Sequence, residues 1–279
     1  MNAPLHGELT HVSTVQTWEC DSNAHLNVQF FHQRLREAGY LFRLRHGLPG
    51  TAMVSAHTRF QRELHVDDTA TILTQPVRDE DGQMFLLHRL TLDGEALCCT
   101  SLDRLSGTTP GLVAPPLSEF PEAAPRGLPG APTVPTADTG ALVASGRAQI
   151  TCITHVLPSD MDHAGEWRAE RLVSSFSNGG QSAWKLIGAT TSFLRERNLG
   201  RVVVEMTLDR FASPAPGAVL RQTSRSIEIG DKTYRFGHQI EDAVTGTLYA
   251  AGEALSILMD LGTRKAVPIP QELRAPAPA

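Results

Sequence analysis

The stretch Trp18–Asn27, with the sequence WECDSNAHLN, is the part of the chain that decides the expected fold. It places Asp21, Asn23, His25 and Asn27 at every second position of one short polar loop. A loop between a strand and a helix puts backbone N–H groups at the helix start, where they polarise an electrophile beside a carboxylate. Asp and Asn are also frequent turn and helix-capping residues, so a purely structural role stays open.

The sequence around this loop predicts one strand before it and one helix after it. Residues Val12 to Trp18 are rich in β-branched side chains, which is typical of a strand. After the loop, apolar residues recur three and four positions apart, as in an amphipathic helix, which Gly47 and Pro49 end. This apolar stripe consists of Val28, Phe31, Leu35, Ala38 and Phe42. Further strands are predicted at Met53–Leu64, Thr69–Val77, Met84–Leu92 and Ala96–Leu105.

A change in composition divides the chain after this half. Residues 106–146 hold eight prolines and almost no periodic apolar pattern, which predicts a linker between a domain at 1–105 and a domain at 147–279. Beyond the linker the same order of elements returns. It comprises a strand at Ile150–Leu157, a polar loop, a long helix to about Asn198, and strands near Val202, Val219, Thr233 and Thr247.

Two matches indicate that the second half duplicates the first. Asp21–His25 aligns without gaps on Asp162–Glu166, and the alignment continues along the helix. It pairs Phe31 with Leu172, Leu35 with Phe176 and Gly39 with Gly180. Near the other end, Gly94–Leu97 and Gly252–Leu255 both read Gly-Glu-Ala-Leu. One helix with about five antiparallel strands, present twice, predicts a curved sheet around a helix in each half.

The composition excludes several classes of protein. A formal net charge of -5 without any basic run argues against nucleic acid as a partner, because phosphate binding needs clustered Lys and Arg. The start lacks the features of a secretory signal and no run is apolar enough to span a membrane, so we expect a cytoplasmic protein without a membrane partner. The four cysteines include no C-x-x-C pair, which indicates neither a zinc site nor a disulfide framework. We expect no metal and no cofactor, and Cys20 fits a small buried residue better than a nucleophile.

Across Val15–Asn27 the chain resembles the hotdog-fold thioesterases. The loop is similar to the W-x-D-x-D-x-x-G-H-x-N signature of the 4-hydroxybenzoyl-CoA thioesterase-like superfamily, and closer to the D-x-N-x-H-x-N form of tandem hotdog acyl-CoA and acyl-carrier-protein thioesterases. The resemblance implies an α+β double hotdog, in which each repeat wraps a curved antiparallel sheet around a central helix and the repeats pair into one continuous sheet. Glu19 replaces an earlier Asp, and Ala24 replaces the usual Gly, which tolerates unusual dihedrals.

The resemblance also implies an activity, the hydrolysis of an acyl-CoA thioester to free acid and CoA. Asp21 matches the catalytic carboxylate, which acts as general base or nucleophile, and Asn23 and His25 orient the carboxylate, the water or the substrate. N–H groups at the start of the helix polarise the thioester carbonyl. Substrate contacts are expected from three further residues, Asn27, Trp18 and Phe31. The acyl-CoA is the expected partner, and any homo-oligomer joins whole tandem units.

The second copy of the loop departs further from the signature. It keeps the aspartate as Asp162, while the polar residues after it become Ala164, Glu166 and Arg168. We expect this repeat to be a degenerate partner that completes the fold, and a working site at Asp162 and Glu166 stays open as the alternative.

Two other functions stay open for the chain as a whole. Hotdog hydratases and dehydratases use a D-x-N-P-x-H motif, but here no proline follows Asn23 and His25 is one position closer to Asp21. A hotdog protein that binds acyl-CoA without catalysis is the second alternative, and the intact Asp21 argues against it. A calcium loop is excluded because Leu26 stands where Gly is needed and His32 where Glu is needed.

Overall fold

A computed structural model describes residues 7–21, 23–48, 50–107, 109, 111–128 and 136–274 of the chain. These residues form an α+β protein with two compact units. Unit 1 contains residues 1–132 with 168–170, and unit 2 contains residues 133–167 with 171–279. Among the described residues, no helix has the length and apolar character needed to cross a membrane.

Unit 1 is one antiparallel sheet with one long helix. Its elements are β1 (Glu8–Thr14), α1 (Val28–Arg45), β2 (Met53–Phe60), β3 (Thr69–Arg78), β4 (Met84–Leu92) and β5 (Ala96–Leu105). The strand order is β1-β3-β4-β5-β2, with every neighbouring pair antiparallel. The predicted bounds of β4 and β5 are confirmed, and α1 occupies the predicted helix.

The core of unit 1 lies between the apolar stripe of α1 and the sheet. Phe31, Leu35 and Ala38 on the helix belong to one buried cluster with Ile72 and Leu90 on the strands. These side chains are at most 4% exposed, so their burial supplies the main driving force for docking α1. Docking of α1 also positions the Trp18–Asn27 loop, because the helix begins at Val28, directly after that loop.

Unit 2 repeats this architecture with additional elements. It contains α2 (Thr139–Ala144), β6 (Ala148–His155), α3 (Ala169–Lys185), α4 (Thr191–Glu196), β7 (Leu199–Arg210), β8 (Val219–Ile229), β9 (Thr233–Asp242), β10 (Leu248–Asp260) and β11 (Lys265–Val267). The strand order is β7-β10-β9-β8-β6, and β11 pairs with β10. Trp184 on α3 packs against the ring of Tyr234 on β9, with 4.9 Å between the ring centroids.

Equivalent contacts in the two units confirm the duplication. Helices α1 and α3 begin at Val28 and Ala169, as the gapless alignment requires. In unit 1 the hydroxyl of Thr74 hydrogen-bonds Nδ1 of the buried His88 at 2.8 Å. In unit 2 Ser224 makes the same bond to the buried His238 at 2.7 Å. Both units therefore share a buried polar pair as well as an order of elements.

The shared Gly-Glu-Ala-Leu tetrapeptide is not part of this duplication. Gly94 has φ +78° and lies in the turn between β4 and β5. Gly252 lies inside β10, where the ring of Phe176 leaves no room for a side chain. The residue with a positive φ in the β9–β10 turn is Gly246, at +76°. The tetrapeptide match was therefore a wrong indicator of structural equivalence, although the duplication itself is confirmed.

Three predicted element boundaries are also wrong. The strand predicted at Met53–Leu64 ends at Phe60, because the N–H groups of Gln61 and Arg62 both donate to the Cys98 carbonyl and regular pairing stops there. The first strand ends at Thr14 rather than Trp18, because residues 17–19 form a short 3-10 turn. The long helix predicted to reach Asn198 is two helices, α3 and α4. Gly188 interrupts it with φ +89°, and the side chain of Thr190 starts α4 by accepting a hydrogen bond from the Phe193 N–H at 3.2 Å.

Part of the proline-rich stretch packs on unit 1. Two short 3-10 turns at 117–119 and 121–123 lie on the sheet face turned away from α1, where Ala123 belongs to one buried cluster with Leu87. Glu122 accepts a hydrogen bond from Nε of Arg89 at 2.8 Å, and that guanidinium lies 4.7 Å over the ring of Phe120. Residues 129–135 lie outside the described residues. The predicted domain boundaries and the edge-to-edge pairing of the two sheets stay predictions.

Candidate functional site

The loop after the first 3-10 turn is closed by its own backbone. The Asp21 N–H donates to the His25 carbonyl at 2.8 Å, and the Ala24 N–H donates to the Asp21 carbonyl at 3.0 Å. Oδ1 of Asp21 accepts hydrogen bonds from the N–H groups of Asn23 at 2.8 Å and His25 at 3.3 Å. The carboxylate therefore fixes the turn with one oxygen, and its side chain stays exposed. Ser22 lies outside the described residues.

Ala24 adopts the conformation for which the related signature uses glycine. Its φ is +63°, in the left-handed region that L-residues with a Cβ rarely adopt. The equivalent residue of unit 2 is Gly165, with φ +76°. Alanine in place of the usual glycine therefore retains the left-handed conformation at this position of the loop.

Asn27 joins this loop to α1. Its side-chain oxygen accepts a hydrogen bond from the Gln29 N–H at 3.1 Å, as an N-cap does, and its own N–H donates to the Glu19 carbonyl at 2.9 Å. The Phe30 N–H donates to the Asn27 carbonyl at 2.9 Å. Among the backbone N–H groups of residues 27–30, that of Val28 is the one with no hydrogen bond to a described residue. The sequence predicts several N–H groups at the helix start that can polarise a carbonyl. Among residues 27–30, the backbone N–H of Val28 is the one left for this role.

A buried ion pair holds the start of the loop against α1. Arg34 donates to both oxygens of Glu19, with Nη1–Oε1 3.0 Å and Nη2–Oε2 2.7 Å, and the two side chains are 4% and 9% exposed. Glu19 also accepts from the Gln16 N–H at 2.8 Å, and Nε of Arg34 donates to the Ser13 hydroxyl at 2.9 Å. Glu19, which departs from the related signature, is therefore a structural residue. A bidentate pair of this kind fixes orientation as well as distance.

His25 is buried beside a carboxylate that the sequence analysis missed. Its Nε2 lies 3.2 Å from Oε2 of Glu63, which follows the end of β2. The Leu26 N–H donates to the Leu64 carbonyl at 2.8 Å, so backbone pairing brings the two segments together. The ring of His65 stands perpendicular to that of His25, with 5.2 Å between centroids. In the sequence, the polar run before Leu64 was the available signal, because it interrupts the predicted strand.

Comparison with known proteins identifies the family of this chain and structures with the same fold. The family model described as the thioesterase-like superfamily matches residues 15–109 and 156–276, which together make up more than half of the chain. The chain belongs to the thioesterase-like superfamily. This membership confirms the predicted enzyme class, a thioester hydrolase. No curated protein sequence matches the chain.

Solved structures similar to this thioesterase-like chain span nearly its whole length. An acyl-ACP thioesterase from Bacteroides thetaiotaomicron superposes with a TM-score of 0.61 at 8% identity, covering 89% of this chain and 96% of its own. The 12:0-ACP thioesterase from Umbellularia californica gives a TM-score of 0.57 at 12% identity, covering 89% of this chain and 93% of its own. At these identities the likeness shows the fold, and it confirms the predicted α+β double hotdog.

The loop of the second repeat has the same backbone but different chemistry. Oδ1 of Asp162 accepts from the N–H groups of Ala164 at 2.8 Å and Glu166 at 2.9 Å, so this aspartate has the same turn role as in the first repeat. Glu166 replaces the histidine and forms an ion pair with Arg210 at 2.6 Å. The predicted alternative site at Asp162 and Glu166 therefore has its second carboxylate neutralised by an arginine.

The second repeat also lacks the counterpart of Glu63. The N–H groups of Phe211 and Ala212 both donate to the Tyr249 carbonyl, as those of Gln61 and Arg62 donate to the Cys98 carbonyl. The residue that follows Ala212 is Ser213, which is therefore equivalent to Glu63. Its hydroxyl accepts a hydrogen bond from the Trp167 N–H at 2.9 Å. The imidazole and its carboxylate are thus confined to the first repeat of this thioesterase-like protein.

The remaining predicted residues lie at different depths around the loop. Trp18 is 75% exposed on the 3-10 turn. Phe31 is buried and packs edge-on against Phe60, with 5.3 Å between centroids, so it forms part of the core below the loop. Burial and the neighbouring Asp21 raise the pKa of the Cys20 thiol, which opposes a nucleophilic role. Substrate contacts by Trp18 and Phe31 stay predictions.

Proposed function

We propose that this chain hydrolyses an acyl-CoA thioester at the Trp18–Asn27 loop of its first repeat. The observation that supports this proposal is the His25–Glu63 pair at 3.2 Å, beside Asp21 and the start of α1. Asp21 alone is weak support, because Asp162 makes the same turn bonds in the other repeat. The loop of the first repeat differs from that of the second by this histidine and its carboxylate, and these are the groups that can take part in a reaction.

Asp21 supplies the carboxylate for attack on the thioester. Its Oδ1 is held by two backbone N–H groups, while its Oδ2 accepts no hydrogen bond from the described residues and belongs to an exposed side chain. A fixed carboxylate with one open oxygen can deprotonate a water molecule or attack the carbonyl carbon directly. General-base assistance of this kind contributes roughly 10² to 10⁴ in rate. Direct attack forms an anhydride that water then opens.

His25 supplies a second polar group whose orientation is fixed. Glu63 contacts Nε2, and burial of the ring prevents it from rotating freely into solvent. Carboxylates orient imidazoles in the same way in catalytic pairs, where the imidazole holds or moves a proton. In thioester hydrolysis that proton is needed by the departing thiolate. We assign His25 to this step and Glu63 to positioning it.

The start of α1 polarises the thioester carbonyl. Val28 offers a backbone N–H with no hydrogen bond to a described residue, at the positive end of the helix dipole. A donor placed at a developing oxyanion is worth about 3 to 4 kcal/mol of transition-state stabilisation. Asn23, on the loop between Asp21 and this helix start, is assigned to orienting the water or the substrate.

The carrier of the acyl group is CoA in this proposal, and acyl carrier protein is the second candidate. The second candidate is included because the structures from Bacteroides thetaiotaomicron and Umbellularia californica, which each cover 89% of this chain, are acyl-ACP thioesterases. The exposed ring of Trp18 is well placed for a flat group such as the adenine of CoA, because stacking needs an uncovered face.

Release of free thiol from a panel of thioesters tests the proposal. The full chain is incubated with acyl-CoAs of different acyl groups and with the same acyl groups on carrier protein. Thiol release from CoA esters supports the proposal, and release from carrier protein alone transfers the activity to the second candidate. Water addition to an enoyl-CoA without thiol release would identify a hydratase. Binding without any turnover would identify an acyl-CoA-binding protein. The predicted cytoplasmic location and the association of whole tandem units stay predictions.

A further inference from the structure

A second kind of ligand fits the first repeat at three side chains near its loop. A ring nitrogen of His25, a carboxylate oxygen of Glu63 and a ring nitrogen of His65 all lie within 4.8 Å of one another. We propose that these three residues bind a divalent transition-metal ion of the zinc class, and that the bound ion inhibits thioester hydrolysis. The inhibitory half of this proposal rests on the proposed function.

The donor set suits zinc in both number and type. Two imidazoles and one carboxylate are a set that zinc takes in open sites, with water in the fourth position. Imidazole nitrogens also favour zinc, copper and nickel over magnesium and calcium, which prefer oxygen ligands. Among the described residues, this is the group of three His, Cys, Asp or Glu side chains close enough to share one ion.

The geometry requires only a small closure around the ion. Tetrahedral zinc at about 2.0–2.1 Å from each donor needs donor atoms about 3.3 Å apart. The His25–Glu63 pair already lies at 3.2 Å. The ring nitrogen of His65 lies within 4.8 Å of the other two donor atoms, and its side chain is 55% exposed, so it can rotate toward the ion without disturbing the core.

The backbone around the three ligands is fixed by hydrogen bonds. The Leu26 N–H donates to the Leu64 carbonyl, which lies between the two ligands of that segment. The His65 N–H donates to Oδ2 of Asp68 at 2.7 Å. Pre-positioned ligands lower the ordering cost of binding an ion.

The second repeat supplies an internal comparison without these ligands. Glu166 replaces His25 and pairs with Arg210, and Ser213 replaces Glu63. Two residues further along, Ala215 replaces His65. The proposed ion therefore binds one repeat, and the stoichiometry expected for the chain is one ion.

The bound ion inhibits because it coordinates the ring nitrogen of His25 that Glu63 contacts. Glu63 contacts Nε2 of His25, so the proton for the departing thiolate is held on Nδ1. An imidazole that coordinates an ion through Nε2 cannot take up the second proton that it needs to act as an acid at Nδ1. The same ion takes the carboxylate that orients the ring. Metal binding and hydrolysis therefore compete for one pair of side chains.

The first measurement is metal binding alone. Tag-free full chain, freed of metal by chelation, is titrated with ZnCl₂ in a calorimeter, and Co²⁺ is added separately to record visible absorption bands of a nitrogen-containing site. His65→Ala is the main variant, because its exposed side chain can be removed without loss of folding. His155→Ala, at an exposed position on β6, is the matched control.

We expect one equivalent of Zn²⁺ to bind wild type and His155→Ala, and to bind His65→Ala at least about tenfold more weakly, since even outer-shell partners are worth roughly 10- to 100-fold in affinity. Glu63→Gln should weaken binding as well. Equal affinity in wild type and in both ligand variants, with all proteins folded by circular dichroism, overturns the metal site.

The second measurement is thiol release with and without Zn²⁺, each protein being compared with its own metal-free rate. We expect Zn²⁺ to lower the wild-type rate and a chelator to restore it, while His65→Ala needs at least about tenfold more Zn²⁺ for the same loss. A rate that Zn²⁺ leaves unchanged or raises overturns the inhibitory role. If no thioester is hydrolysed but Zn²⁺ binds as expected, the proposed function fails and the metal site stands.

Discussion

Nε2 of His25 lies 3.2 Å from Oε2 of Glu63, although one residue precedes α1 and the other follows β2. Backbone pairing between Leu26 and Leu64 creates this contact, so it is a product of the fold and not of a local motif. The equivalent positions of the second repeat hold Glu166 and Ser213. The pair thus distinguishes two loops whose backbones are the same.

Replacement of Glu63 by glutamine tests whether this contact serves the reaction. Glu63→Gln keeps the size of the side chain and removes its charge, so the imidazole loses the carboxylate that orients it. We expect kcat to fall by roughly 10-fold to 100-fold, with a smaller change in KM. Steady-state thiol release measures both constants. Ser213→Ala, at the equivalent position of the second repeat, is the control and should retain wild-type kcat. Equal losses in both variants would remove Glu63 from the site.

Asp21 and Asp162 allow a matched test of the reactive carboxylate. Asp21→Asn retains Oδ1, which can still accept from the two N–H groups that close the turn, and it removes the open carboxylate oxygen. We expect turnover to fall by roughly 10² to 10⁴. Asp162→Asn makes the same chemical change in the second repeat and should cost far less. Similar losses in two folded proteins would contradict one working site, and no loss in either would remove Asp21 as base or nucleophile.

The sequence predicted the elements that depend on local periodicity. The stripe from Val28 to Phe42 predicts α1, and the alternation and turn signals around Gly94 predict β4 and β5. The gapless alignment from Asp21 to the helix is also structural, because identical turn bonds occur in both loops. These features succeed since each is decided by residues close together in the chain.

The features that the sequence did not predict depend on contacts between distant segments. Glu63 joins the site through strand pairing, and no spacing rule connects it to His25. Arg34 lies outside the apolar stripe of α1, and its burial depends on polar partners in the segment before the helix, above all the carboxylate of Glu19. The Gly-Glu-Ala-Leu match failed for the opposite reason, because four identical letters do not imply the same backbone.

The ion pair between Glu19 and Arg34 should contribute strongly to stability. Glu19→Gln removes one charge from a pair whose side chains are 9% and 4% exposed, and it leaves the guanidinium buried without its partner charge. Breaking such a pair costs about 3 to 5 kcal/mol of unfolding free energy. Glu272→Gln is the control, since Glu272 and its partner Arg197 are 55% and 42% exposed and such pairs contribute less than about 1 kcal/mol. Urea unfolding measures both. Equal stabilities of the two variants would contradict the structural role of Glu19.

Two glycines of unit 2 should respond in opposite directions to alanine. Gly165 has φ +76° and open space around its Cβ position. Gly165→Ala therefore adds backbone strain without a steric clash, and it should lower the unfolding free energy by about 1 kcal/mol. Gly180 lies inside α3, also with open space, and Gly180→Ala should raise it by about 0.5 to 1 kcal/mol. Thermal unfolding of the two variants under one set of conditions checks the signs. A stabilising Gly165→Ala would mean that the loop relaxes away from its left-handed turn.

Acid should destabilise the fold through its buried histidines before the carboxylates titrate. Burial lowers the pKa of His32 from 6.5 to about 4, and Nε2 of this residue has no hydrogen-bond partner among the described residues. The folded state therefore holds the neutral imidazole, while the unfolded chain takes up a proton near pH 6.5. The contribution of neutral His32 to the unfolding free energy is fully present above pH 6.5 and is lost as the pH falls toward 4.

The size of this loss follows from the shift of about 2.5 in the pKa of His32, which corresponds to about 3 kcal/mol. His238 in unit 2 acts in the same direction, because burial lowers its pKa to about 3. We expect the unfolding free energy to fall between pH 6.5 and 4, and His32→Gln to make that fall shallower even if the variant is less stable at pH 7. Urea titrations at several pH values measure the slope, and His155→Gln at an exposed position is the control. The same slope in His32→Gln and wild type would show that His32 is solvated or partnered in the native protein.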